Sequence, residues 1–144
     1  MTVAAILKHK GSEVAHVRPT ATVAEVVQVL TERRIGAVLV LDSAGQVLGI
    51  LSERDVVRSL AEQGARTMEM TAAQLMTTEL HTSGPGTTLA EATAMMTVGR
   101  FRHLPVMDGD RLLGIVSIGD VVKARLSQQD SEVDSLKAYV AGVG

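Results

Sequence analysis

Residues 14–57, VAHVRPTATVAEVVQVLTERRIGAVLVLDSAGQVLGILSERDVV, return at residues 80–122 as LHTSGPGTTLAEATAMMTVGRFRHLPVMDGDRLLGIVSIGDVV. Pro19, Thr22, Ile35 and Asp42 are answered at one constant separation by Pro85, Thr88, Phe101 and Asp108. After a one-residue deletion in the hairpin, Gly49, Ser52 and Asp55 are answered by Gly114, Ser117 and Asp120. Agreement this extended marks a tandem repeat. Each copy reads strand, helix, strand, strand, helix. Thr22 and Thr88 are helix N-caps, with Glu25 and Glu91 three residues on as capping-box partners. The helices that follow carry Val23, Val26, Val27 and Leu30, or Leu89, Ala92, Met95 and Met96, at helical spacing, so one face of each is core. AVLVL and LPVM read as strands, DSAGQ and DGDR as hairpin turns, and VLGIL and LLGIV as second strands running straight into amphipathic helices.

The expected fold class is α/β (α+β), with tandem β-α-β-β-α repeats at residues 6–62 and 71–127 and a C-terminal tail helix at 128–144. A unit of about 60 residues buries too little surface to be robust alone. The expectation is therefore one pseudo-twofold domain with two small sheets flanked by helices. A short segment precedes each copy, AAILKHK and TAAQLMTTE, each expected to be a helical turn docked on the unit. Residues 62–70, EQGARTMEM, read as a polar connector. In the tail, Val133, Leu136 and Val140 share one helical stripe, to be packed on the body or on a partner.

Composition bounds the function. The 144 residues carry 14 Lys+Arg against 16 Asp+Glu, a formal net charge of −2, with no cysteine, no tryptophan, one Phe and one Tyr. Phosphate-backbone affinity needs clustered Lys and Arg, so a nucleic-acid or anionic-membrane binder is disfavoured. Stacking platforms and aromatic cages are nearly excluded. A ring-shaped ligand would be held by aliphatic side chains and backbone. Without cysteine there is no disulfide, thiolate catalysis or Cys-based zinc site. The apolar runs fall far short of the ~20 residues needed to span a bilayer, and the N-terminus has no secretory pattern. A cytoplasmic protein is expected.

The chemistry concentrates in Gly49-Ile50-Leu51-Ser52-Glu53-Arg54-Asp55 and Gly114-Ile115-Val116-Ser117-Ile118-Gly119-Asp120. In each a strand ends at a Ser able to N-cap the next helix, with Asp at the third helical position. The plain structural account is a capping box. The functional account uses the same geometry: free N–H groups, the positive end of the helix dipole and the Ser hydroxyl form a phosphate seat. The Asp carboxylate could accept both hydrogen bonds of a vicinal diol, and phosphate near Ser with ribose near Asp describes a nucleotide. The copies differ before the hairpin. Arg102 can clamp a phosphate and His103 can donate to it, whereas the first copy has Gly36 and Ala37 there, with Arg54 beside Ser52 as a substitute.

GILSERD, GIVSIGD and RHLPV (Arg102, His103, Leu104, Pro105, Val106) resemble the cystathionine beta-synthase (CBS) domain pair, or Bateman module, from about Ile6 to about Leu126. The chain looks like a stand-alone pair of the bacterial type, with similarity to plant organellar single-pair proteins. The resemblance implies that an adenosyl ligand such as AMP, ADP, ATP, NAD(H) or S-adenosylmethionine binds in clefts between the repeats. The motif Asp would hold ribose, and the motif Ser and the basic residues phosphate. One implied site comprises Ser117, Asp120, Arg102, His103, Leu104 and Pro105, closed by Ala15, Val17 and Ile35. The other comprises Ser52, Arg54 and Asp55, lined by Gly36 and Ala37 and approached by Thr82 and Phe101. Gly36-Ala37 departs from the basic pair of a strong phosphate site. A disc-like homodimer through the helices of both repeats is also implied; Val56, Val57, Val121 and Val122 fit such an interface.

The reading is a non-catalytic regulatory sensor with no catalytic cofactor and no metal. The alternative is a protein-interaction module acting on a metabolic or redox enzyme with weak ligand binding or none. An enzyme is disfavoured because the chain lacks a phosphate-binding loop and any metal-ligand spacing, and His9, His16, His81 and His103 are scattered.

Overall fold

The computed structural model describes residues 1–11 and 13–143. The elements are α1 (Val3–Lys10), β1 (His16–Val17), α2 (Val23–Arg33), β2 (Ala37–Leu41), β3 (Val47–Ser52), α3 (Glu53–Gln63), a 3-10 helix (Gly64–Glu69), α4 (Ala72–Leu75), α5 (Leu89–Gly99), β4 (His103–Asp108), β5 (Arg111–Ser117) and α6 (Ile118–Val143). Strand-helix-strand-strand-helix is what the first copy forms, and mixed helices flank two small sheets. No helix among the described residues is long and apolar enough to cross a membrane.

The chain divides into two compact units. One comprises Glu13–Thr82 with Asp108–Leu113; the other comprises Met1–Ser12, Ser83–Met107 and Gly114–Gly144. In the first-copy unit β1, β2 and β3 form a sheet, β1 parallel and β3 antiparallel to β2. Residues 37–40 are all buried, as a near-continuous apolar run on a strand covered on both faces should be. The core adds Val17, Val23, Val26, Leu30, Leu51, Val56 and Ala72. In the second copy β4 and β5 pair, but the counterpart of β1 shrinks to a single parallel bridge between Ser83 and Val106. Gly84, Pro85 and Gly86 follow Ser83 at once, and these residues are poor strand formers.

The lead-in segments find their places away from the copies they precede. α1 belongs to the unit of the second copy, where the Val3 N–H donates to the Thr87 carbonyl at 2.9 Å and the Leu89 N–H to the Met1 carbonyl at 3.2 Å. Its Val3 and Ile6 are buried. Residues 72–77 belong to the unit of the first copy, where Thr77 and Ile50 exchange backbone hydrogen bonds at 2.8 and 3.0 Å. The motif glycines make room for both. A Cβ on Gly114 would stand 2.7 Å from Leu7 Cδ2, and one on Gly49 would stand 2.8 Å from both Met76 Sδ and the Thr77 carbonyl oxygen.

The polar connector at 62–70 is mostly exposed but is structured rather than loose: its 3-10 helix puts Thr67 fully inside, hydrogen-bonded to buried Ser59 at 2.8 Å. The two hydroxyls satisfy each other, which offsets the cost of burying them. The tail, expected as a final helix packed on the body or on a partner, continues α6 without a break, and its Val133, Leu136 and Val140 are exposed, which leaves the partner alternative.

Candidate functional site

Each motif turn is built the same way. β3 ends on Ser52 and β5 on Ser117, and a helix starts at the next residue. In the first copy the Asp55 N–H donates to Ser52 Oγ at 3.4 Å while the Ser52 N–H donates to Asp55 Oδ2 at 3.0 Å. In the second the corresponding distances are 3.1 and 2.8 Å. Both turns are therefore complete capping boxes. The first helical N–H is occupied as well: that of Glu53 reaches the Gly36 carbonyl at 2.9 Å, and that of Ile118 the Arg102 carbonyl at 2.8 Å. These bonds tie the backbone just before β2 or β4 to the helix start, so the Gly36 carbonyl reaches the Ser52–Asp55 turn and the Arg102 carbonyl the Ser117–Asp120 turn.

The phosphate seat is consequently narrower than expected. The first and third helical N–H groups are spent internally, because the same sequence that could greet an anion also caps its own helix. The second helical position distinguishes the copies: Arg54 in the first, Gly119 in the second. A Cβ on Gly119 would meet only Ser117 Oγ, at 3.6 Å, so the space beside that hydroxyl is open.

The electrostatics of the two turns also differ. Lys10, from the end of α1, places Nζ 2.7 Å from Asp120 Oδ2 and also donates to the Ile115 carbonyl at 3.0 Å. Burial of Asp120 works to raise its carboxyl pKa. The Lys10 hydrogen bond, the Ser117 N–H, the Lys10 charge and the Ser117 hydroxyl outweigh it, so the group lies below the usual aspartate range. At Asp55, Ser52 Oγ donates to Oδ2 at 3.1 Å and Thr77 Oγ1 to Oδ1 at 3.5 Å.

The remaining predicted residues divide by unit. Arg102 is exposed and His103 half-buried, while Leu104 and Pro105 are buried; the Pro105 carbonyl accepts from both the N–H and the hydroxyl of Ser83. The Phe101 ring lies against Gly99, where a Cβ would collide with it. Ala15, Val17 and Ile35 are engaged with the core of the first-copy unit, Val17 as a buried member and the other two packed on it. Thr82 is exposed at the end of that unit's continuous run. The open concavity lined by Met1, Ser127, Gln128, Ser131, Leu136 and Tyr139 contains none of the predicted residues. Lys10 and Thr77 were not legible as site residues. Both sit in the lead-ins, and spacing along the chain does not say which copy a lead-in serves.

The profile of the CBS domain matches residues 5–62 and 72–127, nearly the whole of both copies. The chain belongs to the CBS domain family. The pair is similar in sequence to the mitochondrial CBS domain-containing protein CBSX3 of Arabidopsis thaliana, 36% identical over 125 residues, covering 84% of this chain and 61% of that protein. This CBS pair thus spans about three-fifths of that relative's length. A crystallised CBS-domain protein from Agrobacterium tumefaciens superposes with a TM-score of 0.84 at 43% identity, covering 86% of this chain and 92% of the other. CBSX2, solved in complex with AMP, gives a TM-score of 0.70 at 26% identity over 83% of this chain and 92% of its own.

Proposed function

We propose that this CBS pair is a regulatory module that binds an adenosyl nucleotide, with its principal site at the Ser117–Asp120 turn. The observation that carries the reading is the convergence on that turn of a ribose-competent carboxylate, a Ser hydroxyl with open space beside it at Gly119, and the Arg102–His103 segment tied to the helix start. The AMP complex of CBSX2 supports it. Lys10 offsets the Asp120 charge, so a phosphate approaching Ser117 meets less repulsion than Asp120 alone would offer. With Arg102 and Lys10 both cationic, the chemistry favours phosphate-bearing AMP, ADP, ATP or NAD(H) over S-adenosylmethionine, whose sulfonium is itself positive. The Ser52–Asp55 turn, with one cation in Arg54 and Gly36-Ala37 before its strand, is the weaker seat.

Titration calorimetry with AMP tests this. Asp120→Ala is expected to weaken binding about tenfold or more, the scale of losing charge-assisted hydrogen bonds, and Asp55→Ala much less. Asp120→Asn separates the ligand effect from loss of the helix cap, since its side-chain oxygen can still accept from the Ser117 N–H. Equal losses from Asp120→Ala and Asp55→Ala would overturn the asymmetry. Absence of heat and of thermal stabilisation with AMP, ATP, NADH and S-adenosylmethionine alike would replace the sensor with the protein-interaction module.

A further inference from the structure

α6 is 26 residues long, and only its start is held by the body: Val121 is buried, and from Ser131 through Ala141 every residue is exposed. Its exposed apolar residues are not scattered. Val122, Leu126, Gln129, Val133, Leu136 and Val140 follow one another at alternating steps of four and three, and the five apolar ones are between 49% and 64% exposed. That is a heptad seam, with Leu126, Val133 and Val140 at a and Val122, Gln129 and Leu136 at d. A seam of this period on an isolated helix exposes a continuous apolar stripe to water, and a facing helix with the same period covers it. Val at two of three a positions, with Leu at a d position, favours two parallel strands.

The flanking charges choose the partner and its direction. The g positions are Arg125, Glu132 and Tyr139; the e positions are Lys123, Asp130 and Lys137. In a parallel, in-register pair of identical helices each g residue faces the following e residue of the other copy. Arg125 then meets Asp130, and Glu132 meets Lys137, opposite charges in both cases. Overlapping the same two tails antiparallel sets Asp130 against Asp130, Glu132 against Glu132 and Lys123 against Lys137, all like charges. The helix needs no new nucleus, because its first turns are fixed in the folded body and the tail only propagates them.

We propose that residues 126–141 form a parallel two-stranded coiled coil with a second copy of this chain, an association distinct from a dimer made through the repeat helices, for which Val122 at the start of the seam is also suited. The surface is independent of the nucleotide reading.

Because the chain has no cysteine, single cysteines report the geometry directly. In the full chain under mild oxidation, Gln129→Cys and Leu136→Cys are each expected to give a disulfide-linked dimer, since the parallel register sets each position opposite itself. Ser131→Cys, on the outer face, is expected to stay largely unlinked. Linking as efficient at Ser131 as at the seam, or linking at only one seam position as an antiparallel crossing would give, overturns the proposal. Sedimentation equilibrium gives a second readout that leaves the body untouched. Lys137→Glu should raise the dimer dissociation constant about tenfold by turning two attractive pairs repulsive. Mixing it with Glu132→Lys should restore association as a heterodimer. If both single variants associate as tightly as the unaltered chain, the tails do not make the contact and the proposal fails.

Discussion

At the scale of single residues, Asp120 joins two roles, capping α6 and holding the end of α1 through Lys10, and the proposed ribose contact would be a third. Its pKa is lowered in the folded state, so by linkage it adds stability above the unfolded aspartate value, ~3.9, and loses it as pH falls through the lower folded value. Lys10→Met removes the main favourable partner and leaves only the Ser117 hydrogen bonds to oppose burial, so the carboxyl shifts upward. The acid-unfolding midpoint, followed by circular dichroism, is therefore expected to move to higher pH. The neutral-pH stability should fall by no more than about 1 kcal/mol, as a part-exposed pair implies. An unchanged acid midpoint would mean that Lys10 does not hold Asp120 in solution. The capping role of Asp120 was legible from spacing, because a box closes within four residues. Its ion pair was not, because Lys10 lies more than a hundred residues away and reaches it only through the fold.

Elements repeat the same division. The caps at Thr22, Ser52, Thr88 and Ser117, the apolar faces of α2 and α5, and the buried β2 follow from local pattern. The 3-10 helix did not, since Thr67 is polar by composition and becomes interior only when Ser59 is brought to it. The motif glycines carry a consequence for β3 and β5. Gly49→Ala would push a Cβ into the Thr77 carbonyl, which is backbone held by Ile50, whereas Gly114→Ala meets the free end of Leu7, which can change rotamer. Chemical denaturation is expected to show a loss of about 1–3 kcal/mol for Gly49→Ala and under ~1 kcal/mol for Gly114→Ala. The reverse order would mean that residues 72–77 do not lie across β3 as described.

At the scale of the whole molecule, the exchange of lead-ins makes the first residues of the chain structural parts of the second copy. Ile6 is buried in the second-copy unit, so Ile6→Ala should cost about 2–4 kcal/mol there. Hydrogen exchange should accelerate in α5, β4 and β5 while α2, β2 and α3 keep their protection. Acceleration confined to α2, β2 and α3 would assign α1 to the copy it precedes. Everything that closes within one helical turn or one hairpin is readable along the chain: the tandem repeat, its element order, its caps and the two Ser–Asp turns, together with the apolar stripe of the tail. Folding alone settles which copy each lead-in completes, that Lys10 sits on Asp120, that the helix-start N–H groups are largely spent internally, and that the tail stripe is left exposed. Each of those joins residues distant along the chain, and such contacts are selected by the burial and pairing available in the folded molecule, which local pattern does not encode.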